Sequence, residues 1–451
     1  MEDCTVGLLI SVSGIRGVVG EGLTPEVACR FGVAFGGWTG GPVAVGRDTR
    51  PTGEMLEMAA ISGLLSAGSD VVRLGVIPTP TVLCFVRWEG LSGGAVITAS
   101  HNPISWNGLK LVSPEGRFLT AGEGEEVLKR YREGPSRGSW EDVGQVAQRR
   151  DAADLHIEKV LSSELVDPEA IKERGFKVAL DAVDGAGSEA GRKLLERLGC
   201  EVVPVHCRPD GRFPRGPEPV PENLGELERA VREHGADVGF GLDPDADRLS
   251  LVSEEGRAVG EEYTLALAVR FVLGKEPGPV AVNLSTSRMV EDVAGEFGVQ
   301  VYRAPVGEVN VLMEMLRLRA PIGGEGNGGV ILPEVNYGRD SLVGMTLILQ
   351  YLAEADEPLS RLVARLPRYV MRKATYRRPG LDREAAMERV RSHFGGEDLD
   401  LRDGVRIVRD RAWVHIRPSN TEPLIRVVAE AEVTADRLID EVMGILEEDD
   451  G

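Results

Sequence analysis

A chain of 451 residues is too long for one hydrophobic core, and at roughly 100–200 residues per domain it predicts three or four. Apolar residues at 42% and charged residues at 27% suit a globular protein, and no apolar run reaches the roughly 18 residues a membrane span needs. A net charge of −20, from 52 basic and 72 acidic side chains, argues against nucleic acid or an anionic membrane as a partner.

The chain opens Met-Glu-Asp-Cys, the wrong charge for a secretory signal, and its five cysteines are scattered without C-x-x-C spacing. Both features predict a cytoplasmic protein with reduced thiols. In chain order, the β-branched run Val43-Ala44-Val45-Gly46-Arg47-Asp48 precedes a helical pattern over 54–67. The run Val178-Ala179-Leu180-Asp181 precedes another over 188–198, and Val280-Ala281-Val282-Asn283 is a third run of the same kind. Apolar runs alternating with helices predict α/β units with buried sheets, one design used three times. The segment 264–273 is the most apolar helix and is broken by Arg270. From about 369 onward, a helix over 384–390 and a strand over 424–429 predict a smaller α+β domain. Linkers are expected at 134–140, 254–260 and 356–368. The domains are then 1–150, 151–255, 256–368 and 369–451.

Four stretches carry chemistry. The strand Ala95-Val96-Ile97 runs into Thr98-Ala99-Ser100-His101-Asn102-Pro103, which presents a hydroxyl at the carboxyl edge of a sheet, where α/β sites form. A serine capping a loop amide is the plainer reading, and a hydrolase elbow lacks its G-x-S-x-G. Neighbouring side chains in an extended segment point apart, which argues against a Ser100–His101 dyad.

In Asp243-Pro244-Asp245-Ala246-Asp247-Arg248, three carboxylates at alternate positions would share one face of an extended segment and converge on a hard cation. A solvated acidic turn is the alternative. An EF-hand fails because Arg248 stands where the loop requires glycine and Leu249–Val252 alternates like a strand. The stretch Gly323-Gly324-Glu325-Gly326-Asn327-Gly328-Gly329 contains G-x-G-x-x-G, but a strand follows instead of a helix, so it is not a dinucleotide loop. A flexible loop whose Glu325 and Asn327 accept hydrogen bonds from sugar hydroxyls fits, as does a plain turn. Arg417-Pro418-Ser419-Asn420-Thr421-Glu422-Pro423, with Arg426 beyond, offers the guanidinium, hydroxyls and amides that a phosphate dianion needs, although an ordinary turn shares that composition.

Together and in this order, the four stretches resemble the α-D-phosphohexomutase superfamily over essentially the whole chain, from Ser13-Gly14-Ile15-Arg16-Gly17 to the Arg417 loop. The resemblance implies three related α/β domains with mixed sheets and a smaller C-terminal α+β domain around a central cleft. It implies that Ser100 is a phosphoserine nucleophile and that Asp243, Asp245 and Asp247 hold Mg²⁺ together with an oxygen of that phosphoserine. Glu325 and Asn327 match the sugar loop, and Arg417, Ser419, Asn420, Thr421 and Arg426 match the phosphate loop. Arg16, His101, Lys110 and Arg248 match positions lining the reaction centre, with Lys110 the first choice of general base and His101 the second.

The chain departs from the common pattern. It lacks a Phe-Gly-Thr before Ser13, has Asn327 and Gly329 where many members have serine and histidine, and has Ala304-Pro305-Val306-Gly307 where Thr-Lys-Val-Gly is frequent. The G-E-G-N-G-G form, with Val306-Gly307-Glu308-Val309-Asn310, is similar to an archaeal branch of phosphoglucosamine mutases and phosphomanno/phosphoglucomutases. The expected partner is a small hexose phosphate, converted between its 6- and 1-phosphates through a bisphosphorylated intermediate. Hexose 1,6-bisphosphate would serve as the activator that phosphorylates Ser100. Glucosamine 6-phosphate is the substrate favoured here, with glucose or mannose phosphates next. A magnesium-dependent sugar phosphatase and a non-catalytic sugar-phosphate sensor are the alternatives from other classes. Monomer and homodimer fit equally.

Overall fold

The computed structural model describes residues 8–11, 14–134, 138–378, 380–419 and 424–447. Among these residues four sheets form, and the first three repeat one unit. Each unit is built on one of the anticipated β-branched strands: Val43–Arg47, Lys177–Asp181 or Val280–Asn283. On one side that strand pairs in parallel with the next in the chain: Val71–Val76, Glu201–Val205 or Val301–Ala304. On its other side it pairs in parallel with a third strand: Gly93–Ile97, Val238–Leu242 or Ile322–Glu325. The third strand then folds back antiparallel into Trp106–Val112, Leu249–Ser253 or Gly329–Ile331.

Parallel pairing needs a crossover, and the helices Gly53–Ser66, Gly187–Arg197 and Met289–Glu296 supply it. Helices on both faces explain why the central strands read as continuous apolar runs, without the alternation of a half-exposed strand. In the first unit, Leu8–Ser11, Gly14–Val18 and Val146–Gln148 extend the sheet to seven strands.

Two helices, Glu261–Lys275 and Ser341–Ala355, bury residues of the second and third sheets in one core, which includes Leu180, Phe240, Leu265, Val282, Ile322 and Leu349. The first unit is joined to that body by a buried polar chain. Asp340 caps the helix Ser341–Ala355 by accepting from the Leu342 and Val343 amides at 2.9 and 3.2 Å. Its other oxygen meets His156 Nε2 at 2.7 Å, and His156 Nδ1 meets Thr81 Oγ1 of the first unit at 2.9 Å. Residues 356–368 are not a plain linker as expected. The helix Leu359–Ala364 lies within them, because Leu359, Leu362 and Leu366 are buried in the shared core.

The C-terminal unit is a five-stranded antiparallel sheet in the order Val370–Tyr376, Ile425–Ala431, Ala412–Pro418, Val405–Arg409, Leu399–Asp400. The helices Arg383–His393 and Asp436–Glu447 give it a core of its own. Among the described residues no helix is long and apolar enough to cross a membrane, and Cys29, Cys84, Cys200 and Cys207 are free thiols.

The C-terminal unit docks on the third through polar contacts. His415 Nε2 donates to the Asp403 carbonyl at 2.6 Å, so Nδ1 of the neutral ring accepts from Ser285 Oγ at 2.8 Å. The Arg288 amide donates to Glu430 at 2.8 Å, and the Val306 amide donates to Asp403 at 3.0 Å. Burial, helped by Arg417 and Arg406, pushes the His415 imidazole down to about 4. Below its ordinary value of 6.5 the unfolded chain takes up a proton that the docked ring refuses. Stability therefore falls as pH drops from 6.5 towards 4, by up to about 3 kcal/mol. Urea midpoints across this range should fall more steeply in wild type than in His415→Gln; parallel curves would remove His415 from the explanation.

Candidate active site

The fold-back turn after the third strand carries a different chemical group in each unit, and the three turns meet. In the first unit the turn holds Ser100, buried at 5% exposure with φ +50°. That left-handed backbone overturns the expectation that neighbouring side chains diverge. Ser100 Oγ lies 3.2 Å from His101 Nδ1 and donates to Asp243 Oδ2 at 3.1 Å. Arg248 and burial hold the His101 imidazole well below its ordinary value, which keeps it neutral.

A strained turn needs a brace, and Arg50 supplies it. All five guanidinium N–H groups are used: Nε on Asp48 at 3.0 Å, Nη1 on the Pro103 and Trp106 carbonyls at 2.6 and 3.0 Å, Nη2 on the Ser100 and Asn102 carbonyls at 2.6 and 2.7 Å. Asp48 also accepts from Thr98 Oγ1 at 2.7 Å, and Thr98 Oγ1 accepts from the Ser100 amide at 2.9 Å. The ring of Phe213, from the second unit, covers Arg50 at 4.9 Å.

In the second unit the turn holds the three aspartates. They do not line one face of an extended segment: Ala246, at φ +56°, folds the segment so that one oxygen of each carboxylate lies within 4.8 Å of the others. Burial, then Asp247 and Asp245, push the Asp243 carboxyl well above the usual range. Against the same burial, Arg339, Lys110 and Arg248 hold Asp247 below it. Lys110 Nζ donates to Asp245 Oδ2 at 2.7 Å and to Asp247 Oδ2 at 3.3 Å, and Thr79 Oγ1 donates to Asp245 Oδ2 at 2.6 Å. Among the described residues, Asp245 Oδ1 and Asp247 Oδ1 remain buried with no hydrogen-bond partner. Two orphaned carboxylate oxygens beside a third carboxylate suit a hard divalent cation.

In the third unit the expected loose glycine loop is a tight hairpin, with Gly326–Gly328 as its turn between strands Ile322–Glu325 and Gly329–Ile331. Glu325 Oε1 accepts from Asn283 Nδ2 at 2.8 Å and the Gly307 amide at 3.2 Å, and Oε2 from Arg339 Nη1 at 2.8 Å. Despite burial, Arg339 and Asn283 hold this carboxyl below its usual range. Asn327 Oδ1 is buried with no hydrogen-bond partner among the described residues.

Cations gather on the remaining side. Arg16 donates to Asn102 Oδ1 at 3.3 Å, and Arg248 donates to Glu218 at 2.7 Å. Arg417 and Arg426 face each other across adjacent strands. Burial, with Arg426 and Arg248 close by, lowers the Arg16 guanidinium, and burial with Arg426 lowers Arg417. Guanidiniums that repel one another are the mark of a place for an anion. Ser419 is buried, its carbonyl accepting from Arg383 at 2.8 Å, whereas Asn420 and Thr421 lie outside the described residues.

Models of the four domains of phosphoglucomutase/phosphomannomutase match the chain in order: α/β/α domain I over 8–137, II over 154–256, III over 260–369 and the C-terminal domain over 375–447. The chain belongs to the phosphoglucomutase/phosphomannomutase family. A probable phosphoglucosamine mutase of Methanopyrus kandleri is 40% identical over 95% of this chain and 94% of its own length. A phosphoglucomutase/phosphomannomutase of Thermococcus kodakarensis is also 40% identical, over 95% of each chain. A solved phosphoglucomutase/phosphomannomutase family protein of Burkholderia thailandensis superposes with a TM-score of 0.84 at 28% identity, covering 97% of this chain and 98% of its own. The N-acetylphosphoglucosamine mutase of Aspergillus fumigatus shares the fold at 15% identity and a TM-score of 0.59, covering 97% and 94% of the two chains. The protein is a phosphohexomutase, an isomerase.

In this phosphohexomutase the motifs named from sequence converge, but the groups that brace them carried no motif of their own. Asp48 and Arg50 could have been noticed as charged residues directly after a buried strand; Asn283 closes such a strand too. Arg339 stands alone. Arg50→Lys keeps the charge but loses the fork that holds four carbonyls. It should lower kcat about 100-fold through misplacement of Ser100, with a reduced melting temperature; kinetics within threefold of wild type would show that the turn holds itself.

Proposed function

We propose that this enzyme interconverts glucosamine 6-phosphate and glucosamine 1-phosphate, passing the phosphoryl group through Ser100. The observation that carries the reading is the 3.1 Å contact between Ser100 Oγ and Asp243, in a carboxylate cluster that keeps two oxygens without a hydrogen bond among the described residues. A hydroxyl joined to a cation site is what a phosphoserine nucleophile needs. Asp243, Asp245 and Asp247 would hold Mg²⁺, which when bound supplies charge neutralisation for the transferring phosphoryl group. Hexose 1,6-bisphosphate is the proposed activator that first loads Ser100.

Arg417, Ser419 and Arg426, with Asn420 and Thr421, bind the phosphate that the sugar already carries. Arg16 and Arg248 neutralise the second phosphate near Ser100. Glu325 and Asn327 read the sugar hydroxyls, and Asn327 Oδ1, which has no hydrogen-bond partner among the described residues, supports an acceptor role there. Lys110, whose Nζ donates to Asp245 and Asp247 as an ammonium with no lone pair for a proton, supplies positive charge there, and neutral His101 is the base for the attacking sugar hydroxyl. His101, whose Nδ1 is 3.2 Å from Ser100 Oγ, exchanges a proton with the serine when the bisphosphorylated sugar returns its other phosphate. The amino sugar is favoured because the Methanopyrus kandleri and Methanococcoides burtonii relatives carry the phosphoglucosamine mutase name. The Aspergillus fumigatus protein of the same fold was solved with GlcNAc-6P and magnesium.

Coupled assays with Mg²⁺ and trace hexose 1,6-bisphosphate should give the highest kcat/KM on glucosamine 6-phosphate. A preference for glucose 1-phosphate or mannose 1-phosphate would overturn the substrate assignment. Ser100→Ala should fall below about one thousandth of wild-type turnover, and Lys110→Met should lose about 100-fold. Retained activity in Ser100→Ala would end the phosphoserine route, and release of free phosphate in place of isomerisation would make the enzyme a phosphatase.

A further inference from the structure

The second and third units meet on one arginine. Arg339, 9% exposed at its side chain, donates Nη2 to Asp247 Oδ2 at 2.7 Å, Nη1 to Glu325 Oε2 at 2.8 Å and Nε to Glu308 Oε2 at 3.0 Å. Its backbone amide donates to the other oxygen of Glu308 at 2.9 Å. A planar guanidinium fixes the directions of its donors, so carboxylates bound to three of its nitrogens are fixed relative to one another. Two of them belong to the aspartate turn and to the hairpin proposed to read the sugar; the third stands at the start of the helix Glu308–Leu318.

The path of the side chain imposes a second requirement. A Cβ on Gly329 would fall 2.2 Å from Arg339 Cδ and 2.8 Å from Cγ. Those are mid-chain atoms. Their far end is pinned by three carboxylates, and their near end is pinned because Asp340, the next residue, caps a helix and is held by His156. The stem cannot swing aside without pulling the guanidinium out of its fork. We propose that Arg339 is a positioning residue that holds the sugar-reading hairpin in register with the metal triad, and that position 329 is glycine so that this arginine can lie across it. The inference rests on the function proposed above for Glu325 and the aspartates. Its consequence is that sugar placement and cation placement are set by one side chain, and either is lost when the fork is broken.

The test compares wild type, Arg339→Lys, Gly329→Ala and the double variant. Lysine keeps the charge, so a role in charge neutralisation alone predicts wild-type kinetics for Arg339→Lys. Positioning predicts instead a loss of about 100-fold in kcat/KM, shared between a higher KM and a lower kcat. Gly329→Ala, which adds one methyl group, should match that loss within threefold. The double variant should be no worse than either single one, because both break the same fork. Titration of glucosamine 6-phosphate by calorimetry in EDTA supplies a readout apart from turnover, and affinity should fall about tenfold in all three variants.

Wild-type kcat/KM in Gly329→Ala, losses that multiply in the double variant, or unchanged affinity in EDTA would each overturn the proposal. Should Arg339→Lys fail to fold, Gly329→Ala decides the matter by the same kinetic and calorimetric criteria. A wild-type protein that isomerises none of the hexose phosphates would instead overturn the functional reading, a result separate from active wild type with silent variants.

Discussion

Three buried carboxylates must share one small space, and the assembled molecule is arranged around that demand. Asp243, Asp245 and Asp247 each place an oxygen within 4.8 Å of the others. At an effective dielectric near 20, like charges at that separation repel by roughly 3 kcal/mol or more per pair, a large share of the roughly 5–15 kcal/mol that separates folded from unfolded protein. The positive partners come from different places in the chain. Lys110 is on the fold-back strand of the first unit, Arg248 closes the aspartate turn itself, and Arg339 precedes the helix Ser341–Ala355. The cluster is tolerable only when these units are together, so the same electrostatics that prepares a cation site also ties the first three units to one another.

The sequence made the fold legible wherever the signal was local. Three β-branched runs became the three central strands because helices bury both of their faces. The four motifs were legible because each is contiguous. Expectations failed where a conformation was inferred from a neighbour's default. Ser100 and Ala246 adopt positive φ without being glycine, so a segment read as extended is in each case a turn. That change brings His101 to Ser100 and draws the aspartates together. The bracing roles of Arg50 and Arg339 were not legible for another reason. A guanidinium or carboxylate acquires its function from partners tens or hundreds of residues away, and no spacing rule in one sequence reports them.

Repetition explains why the functional groups converge at all. In each of the three α/β units the central strand ends in, or leads straight into, a side chain that accepts from the backbone amide two residues on: Asp48 from Arg50, Asp181 from Val183, Asn283 from Ser285. In every unit the adjacent fold-back turn bears the reactive or binding group. One piece of geometry was kept three times, while the chemistry at its tip differs: a hydroxyl, a carboxylate cluster, and a hairpin with a carboxylate and a carboxamide. The C-terminal unit has an all-antiparallel sheet and docks through polar contacts that include a buried neutral histidine.

A turn at the end of a hairpin can be rewritten without disturbing the sheet beneath it. With the hydroxyl and the aspartates on two hairpins and Asn327 at the tip of a third, substitutions at that tip can drift while Glu325, Gly329 and the Arg339 fork stay fixed with the other two turns. A fold built this way can change what the third tip recognises over few substitutions and leave the groups at the other two tips in place.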